Sequence, residues 1–356
     1  MIYGFNRIPF FKIKKNRAIY FFTIIVPFRN EAENIPLLAK SLLKMAYPKT
    51  YFEVLWVNDS STDNSIPLLT EFIVKNANWK LIDNQRKSNS PKKDAIQTAI
   101  EQSNYDYILT TDADCKVPSK WLQSFSNFME VNKEVKMIAA PVSYAINNNF
   151  LHQFQLLDFL SLIGTTIGSF GINKPFMCNG ANLCYSKQAF YKVNGFEGNN
   201  NIASGDDVFL LEKFKKHFPK QVGYLKSIDS LVVTKPENTL KNLINQRIRW
   251  ASKTSSTKSV FGKFIGIVVF LQNFISLWSL IYGLWVAKYT FLAVLILLSK
   301  LCVDYILLKK MYQFTHQKLG LAYYILGGFL YPFFVVFVVV KSVFTKVTWK
   351  GRTFYK

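Results

Sequence analysis

Along the first 115 residues, short apolar runs end in polar clusters and give way to helical spacing, again and again. Thr23 to Phe28 (TIIVPF) is followed by Arg29-Asn30-Glu31 and a helical pattern through Met45. Phe52 to Val57 (FEVLWV) is followed by Asn58-Asp59-Ser60-Ser61-Thr62-Asp63 and a helix to about Lys75. Leu81-Ile82-Asp83 is a weaker third strand, with a helix from about Lys92 to Gln102, and Tyr107 to Thr111 is a fourth. Strands separated by helices of this length predict parallel pairing, because a crossover helix is what returns the chain to start the next parallel strand. The fold class is therefore α/β with a doubly wound, mostly parallel sheet. In such sheets ligands sit beyond the carboxyl ends of the strands, so the clusters at Arg29-Asn30-Glu31, Asn58-Asp59 and Asp112-Ala113-Asp114 are expected to converge.

Further along, the pattern changes. Phe150 to Phe170 is rich in Phe, Leu and Ile but carries His152, Gln153, Gln155 and Asp158. Two readings fit it: a helix lying at a membrane interface over 150–172, or a buried core helix. Past Lys263 come three apolar stretches, about Phe264 to Ala287, Tyr289 to Leu308 and Leu319 to Val340. Each is long enough at helical rise to cross about 30 Å of hydrocarbon. Lys300 and Asp304 in the second are four apart and can pair on one helical face. The organisation expected is a basic and aromatic N-terminal arm (1–22), a catalytic domain (23–258), a membrane region with about three hydrophobic helices (259–340) and a basic tail (341–356). Lys309, Lys310 and Lys318 put the second connection on the cytosolic side by the positive-inside rule. Three crossings then send the tail outside, whereas Lys341, Lys346, Lys350, Arg352 and Lys356 favour the cytosol. That conflict calls for a re-entrant stretch near Pro332 or for a further N-terminal span.

Composition sharpens this. The chain has 356 residues, half of them apolar, and 44 Lys+Arg against 22 Asp+Glu, a formal charge of +22. Disorder and small disulfide scaffolds are excluded, and Cys115, Cys178, Cys184 and Cys302 show no Cys-x-x-Cys spacing. Arg7, Lys12, Lys14, Lys15 and Arg17 interrupt any apolar run of signal-peptide length. The expected location is the cell (inner or plasma) membrane, multi-pass, with the catalytic domain cytoplasmic. Such charge suits an anionic leaflet and an anionic nucleotide. Taken alone it also suits a non-catalytic, membrane-anchored binder of anionic partners, nucleic acid included. Carboxylates clustered at strand ends argue against that class, and no nucleic-acid partner is expected.

Three motifs carry chemistry. Asp112-Ala113-Asp114 sets two carboxylates on a turn after a strand, as needed to hold Mg²⁺ or Mn²⁺ beside a diphosphate, although paired acids in turns are commonly only solvated. Asp206-Asp207 opens an apolar helical run after the Gly- and Asn-rich loop Gly195 to Gly205. Acids there are helix caps in the plain reading and a general base in the functional one, since a helix N-terminus favours the charged form that a base must start in. Gln246-Arg247-Ile248-Arg249-Trp250 precedes the membrane region. A helix puts Gln246, Arg249 and Trp250 on one side, fit to clamp a diphosphate and stack on a sugar, or to anchor the chain at an interface.

In order along the chain, Val26-Pro27-Phe28-Arg29-Asn30-Glu31, Asn58-Asp59-Ser60-Ser61-Thr62-Asp63, Asp112-Ala113-Asp114, Gly205-Asp206-Asp207 and Gln246-Arg247-Ile248-Arg249-Trp250 resemble the motifs of the inverting family 2 glycosyltransferases with the GT-A fold. The membrane-bound members, such as cellulose and hyaluronan synthases and ceramide glucosyltransferases, are the nearest in pattern. The resemblance implies a nucleotide-sugar donor, a UDP-sugar in the first instance, and direct displacement with inversion. It implies that Asp59 contacts the nucleoside, that Pro27, Arg29 and Glu31 shape the same pocket, and that Lys93 lies near the nucleotide. Asp112 and Asp114 would hold metal and diphosphate. Asp207 would be the base, with Asp206 as the other choice. Gln246, Arg249 and Trp250 would line the diphosphate and the acceptor entrance, and Asn179-Gly180 an acceptor-facing loop. Two departures stand out: Asn58 and Ser60 replace the Asp and Gly of a common Asp-Asp-Gly-Ser, and Gly-Asp-Asp replaces Thr-Glu-Asp. A lipid-linked hydroxyl is the expected acceptor, with a growing glycan as the alternative. Nucleotidyl or phosphoryl transfer is a third use of such a site.

Overall fold

The computed structural model describes residues 1–14, 17–199, 205–345, 347–349 and 352–354. Lys15, positions 200–204 of the Gly- and Asn-rich loop, and Lys346, Lys350 and Lys356 of the tail lie outside the described residues. In chain order the first elements are α1 (Ile2–Arg7), β1 (Phe22–Phe28), α2 (Ile35–Leu43), β2 (Phe52–Asn58), α3 (Ser65–Ile73), β3 (Trp79–Asp83), α4 (Pro91–Gln102) and β4 (Tyr107–Thr110). Then come α5 (Trp121–Val131), β5 (Met137–Ala139), β6 (Val142–Tyr144), α6 (Phe150–Gly171), β7 (Leu183–Ser186), α7 (Lys187–Lys192), α8 (Asp206–His217), β8 (Val222–Tyr224) and β9 (Val232–Thr234). Last are α9 (Leu240–Ser256), α10 (Val260–Trp285), α11 (Thr290–Thr315), α12 (Leu321–Phe344) and the hairpin β10 (Val347–Trp349) and β11 (Arg352–Phe354).

The chain divides into two bodies. One holds Asn6–Tyr144 and Met177–Lys235, the other Met1–Phe5, Ala145–Phe176 and Pro236–Lys356. In the first, seven strands form a sheet in the order β3-β2-β1-β4-β7-β5-β8. β1, β2, β3 and β4 run parallel, as expected. β7 runs antiparallel to both β4 and β5, so the sheet is mixed. β2 is buried along its whole length and β1 nearly so, which is why both read as continuous apolar runs instead of alternating ones. Pro27 is tolerated in the central β1 because β4 stops opposite Ile25, leaving no ladder partner on that side that needs its missing N–H.

The second body holds three helices long and apolar enough to cross a membrane, Val260–Trp285, Ala287–Thr315 and Leu321–Phe344. α6 packs against α11 and α12 here, and α9 against α12. His152, Gln153, Gln155 and Asp158 are all buried, the burial that the core-helix reading of α6 calls for. Its polar side chains have partners inside: Gln155 exchanges hydrogen bonds with the main chain of Glu237 at 2.8 Å each. The stretch expected to be one catalytic domain, 23–258, is thus shared. α6 and α9 bury their apolar faces with the spans and leave the sheet's body. The segment expected to be a separate arm is shared too: Gly4 packs so closely on α6 that a Cβ would lie 2.0 Å from the Gly168 carbonyl oxygen. Past it, the buried Lys226 ammonium donates to the Ile8 carbonyl at 3.0 Å in the sheet's body.

Candidate active site

Since β1, β2 and β4 are adjacent and parallel, their carboxyl ends share one edge of the sheet. Arg29, leaving β1, donates to the main-chain carbonyls of Asp59 at 2.8 Å and Ser60 at 2.9 Å. Asn30 and Ser60 hold φ of 52° and 58°, the left-handed region that asparagine enters more readily than most residues. The buried Asp59 carboxylate accepts from Arg86 Nε at 2.7 Å and Asn84 Nδ2 at 2.8 Å. Asn58, where a carboxylate is commoner, bridges Asp83 Oδ1 at 2.9 Å and the Ser61 N–H at 2.9 Å. As an amide it donates and accepts at once, which an ionised carboxylate cannot. Glu31 accepts from Asn34 Nδ2 at 2.6 Å.

Asn84 connects this corner to the next. It also donates to the carbonyl of Pro91 at 3.0 Å, at the first turn of α4. From that turn the Lys92 ammonium reaches Asp112 Oδ1 at 2.6 Å and Asp206 Oδ2 at 3.5 Å. Burial alone would lower the Lys92 pKa, but the charges of Asp112 and Asp206, with Asp207 behind them, hold it well above the ordinary lysine value. Lys93, one residue on, points elsewhere: its ammonium donates to the Asn199 carbonyl at 2.7 Å and lies 5.0 Å from the Phe209 ring centroid. Asp114 lies half-buried on the Asp112 turn, with the Cys115 thiol 3.6 Å from its Oδ1. Burial first, and then the charges of Asp114 and Asp112, push that thiol well up.

Asp206 and Asp207 open α8, entered through Gly205 at φ +86°. Asp207 Oδ2 accepts from the Gly180 N–H at 3.1 Å and its Oδ1 from the Val208 N–H at 2.8 Å. The Asn179–Asn182 turn is pinned from below. Asn182 Nδ2 donates to the carbonyls of Pro141 and Ser230 at 2.7 and 2.8 Å, and its Oδ1 accepts from the Trp121 indole at 2.9 Å. A Cβ on Gly180 would lie 2.8 Å from Asp206 Oδ2 and 3.6 Å from the Lys92 ammonium, so any larger residue here would push the Asp206 carboxylate aside. Lys92, Asp112, Asp206, Asp207 and Gly180 therefore form one cluster, and Asp59, Arg29, Asn84 and Arg86 a second, linked to it through α4. Lys92 and Arg86 were absent from the sequence expectations; Asp83-Asn84-Gln85-Arg86 after β3 was the overlooked signal.

Among the described residues no ready-made group of three or more metal-ligating side chains exists. The donor set nevertheless has the chemistry a hard cation needs. Two carboxylates on the Asp112 turn, with the oxygens of a bound diphosphate, would complete a Mg²⁺ or Mn²⁺ site of the kind built from few protein ligands, and a cationic ammonium already touches Asp112.

In the other body, Gln246, Arg249 and Trp250 share α9. Gln246 Nε2 donates to Glu237 Oε1 at 2.9 Å and its Oε1 accepts from Arg247. Arg247, which sequence reading passed over, lies 4.1 Å from the Trp250 ring centroid and donates through Nε to the buried Asp158 at 2.5 Å.

Residues 23–193 match the family model described as Glycosyl transferase family 2. The chain is 26% identical over 253 residues to a poly-beta-1,6-N-acetyl-D-glucosamine synthase from Staphylococcus epidermidis, covering 69% of this chain and 57% of the relative. It is 27% identical over 264 residues to the synthase of the same name from Staphylococcus aureus, covering 70% and 57%. The chain thus spans a little over half the length of these curated relatives. Among solved structures, a mannosyltransferase from Pyrobaculum calidifontis in complex with GDP-Man and Mn²⁺ matches with a TM-score of 0.57 at 16% identity, covering 96% of this chain and 92% of the other. That likeness is one of fold.

Proposed function

We propose that residues 23–193, which belong to Glycosyl transferase family 2, serve a membrane-anchored, metal-dependent, inverting transfer of a sugar from a nucleotide sugar, a UDP-sugar in the first instance, to a lipid-linked hydroxyl. The observation that carries the reading is the cluster of Lys92, Asp112, Asp206, Asp207 and Gly180 at the carboxyl edge of the sheet. Asp207 is the base. Each of its oxygens already accepts one main-chain N–H, which fixes the carboxylate plane and leaves lone pairs for the acceptor hydroxyl. As Asp207 takes that proton, the oxygen attacks the anomeric carbon and the bond to the diphosphate breaks on the opposite face, so configuration inverts. Lys92 meets the charge growing on the departing nucleoside diphosphate, a role that the family motif gives to Arg249. A Mg²⁺ or Mn²⁺ ion held by Asp112 and Asp114 would supply further neutralisation there. Asp59, with Pro27, Arg29 and Glu31, frames the nucleoside end, whereas Lys93, held by the Asn199 carbonyl and the Phe209 ring, takes no part in it. Gln246 and Trp250 serve the diphosphate and the acceptor entrance, and Asn179-Gly180 faces the acceptor. The catalytic side is cytoplasmic.

A second reading has its own support: the curated relatives named above are polysaccharide synthases, which favours a growing glycan as acceptor. Membranes containing the protein, incubated with a panel of labelled UDP- and GDP-sugars with and without Mn²⁺, test both. Metal-dependent release of nucleoside diphosphate with label in the lipid extract supports the first reading, and label in polymer supports the second. Hydrolysis or transfer with none of the panel removes both.

A further inference from the structure

Helices α6 and α9 share a charged pair that the transfer chemistry does not use. Arg247 and Asp158 have side chains that are each 6% exposed, and Nε meets Oδ2 at 2.5 Å. The other carboxylate oxygen accepts from the Tyr331 hydroxyl of α12 at 2.8 Å. As a means of fastening α9 to apolar helices this is a poor choice, since well-packed hydrophobic side chains hold as well as a buried ion pair or better. What an ion pair adds is direction.

Arg247 spends that direction on two neighbours. Its guanidinium donates to Gln246 Oε1 and lies 4.1 Å from the Trp250 ring centroid, while Phe159 of α6 meets Trp250 at 6.0 Å between centroids. The Gln246 amide cannot turn over. Its oxygen faces a guanidinium, which never accepts, and its nitrogen faces the Glu237 carboxylate, which never donates when ionised. Gln155 of α6 in turn grips the Glu237 main chain through both halves of its own amide. One carboxylate on α6 thus sets the guanidinium, and the guanidinium sets the amide and the indole.

We propose that Asp158, Arg247 and Tyr331 are positioning residues for the transfer, a buried carboxylate–guanidinium–phenol triad that orients Gln246 and Trp250. The proposal rests on the reading that Gln246 and Trp250 serve the donor diphosphate and acceptor entrance. A planar guanidinium fork is what the arrangement requires; a lysine would neutralise Asp158 without fixing an amide plane.

The test uses the full chain in membranes, with the nucleotide sugars of the panel above as probes, and reads donor KM separately from kcat. Loss of folded protein lowers the apparent kcat and leaves the KM of the surviving molecules unchanged, whereas misdirected Gln246 and Trp250 raise KM. Asp158→Asn and Arg247→Lys are each expected to raise donor KM about tenfold, and the double variant no more than the worse single one, as for residues acting as a unit. Tyr331→Phe, which removes one oxygen, is expected to raise it about threefold, and it reads the same quantity should the other variants not reach the membrane. Donor KM values unchanged from an active wild type, or additive effects in the double variant, overturn the triad and leave the transferase reading standing. A wild type that turns over none of the panel overturns that reading and the triad with it.

Discussion

Lys92→Met keeps most of the unbranched side chain while removing the ammonium with its charge and its hydrogen bonds. The ammonium stands 2.6 Å from Asp112 and 3.5 Å from Asp206. At an effective dielectric constant near 20 the gross attractions are roughly 6 and 5 kcal/mol. Burying the ammonium takes most of that back. Removing one partner of a fully buried pair costs about 3–5 kcal/mol, and here Asp112 is 37% exposed and Asp206 10%, so about 2 kcal/mol is the figure after screening by solvent. For a body of this size that lowers Tm by about 4–8 °C. The same substitution leaves two carboxylates facing each other with no cation, so divalent metal should restore what the lysine supplied. Mn²⁺ at a hundred times its Kd returns about 2.7 kcal/mol, enough to cancel the loss. The assay is thermal melting of the donor-free protein with and without Mn²⁺, with Mn²⁺ binding followed by electron paramagnetic resonance. Lys92→Met melting like wild type in both conditions, with equal Mn²⁺ affinity, would refute the claim that Lys92 neutralises this cluster.

Further predictions concern the base, the turn and pH. Asp207→Asn should lower kcat by about 10²–10⁴-fold while donor binding, followed by fluorescence or calorimetry, stays near the wild-type value. Gly180→Ala drives a methyl group to 2.8 Å from Asp206 Oδ2; since the carboxylate can swing away, Tm should hold within about 2 °C while kcat falls about tenfold or more. Burial alone would raise the pKa of Asp63, but hydrogen bonds from Ser65 and the Ala32 N–H outweigh it and hold the carboxyl below its ordinary value. A depressed carboxyl stabilises the fold above its unfolded pKa and loses that contribution as pH falls through the folded one. Asp63→Asn should therefore lower Tm at pH 7 and match wild type at pH 2. The raised Lys92 pKa has the opposite sign: its contribution is complete below an unfolded value of about 10.4 and fades only in stronger alkali. The Tm gap between wild type and Lys92→Met should accordingly stay constant from pH 7 to pH 9.

The four parallel strands were readable because β1 and β2 are buried on both faces and are mostly apolar. β5, β6, β8 and β9 have three residues each, too few to display any period, and only the finished sheet reveals that β7 runs against its neighbours. Asp112, Asp206 and Asp207 could be picked out from their places after a strand or at a helix start, and Gly180 through the family resemblance alone. The choice between Lys92 and Lys93 could not. Adjacent helical residues point about 100° apart, and whichever faces the acids is decided by the phase with which α4 starts at Pro91. α6 stayed open between two readings for a related reason: the partners that let Asp158 lie inside are 89 and 173 positions away in the chain.

Because α6 and α9 fold with the three long apolar helices, ending the chain before those helices leaves α6 and α9 without the partners they pack on. Stopping the chain after Ser256 would strip α9 of α12 and take Tyr331 away from Asp158. The expected product keeps the circular dichroism of an intact sheet, aggregates through uncovered α6, and transfers nothing. Detergents should be ranked by the same logic: those that loosen α12 silence the protein before they unfold it.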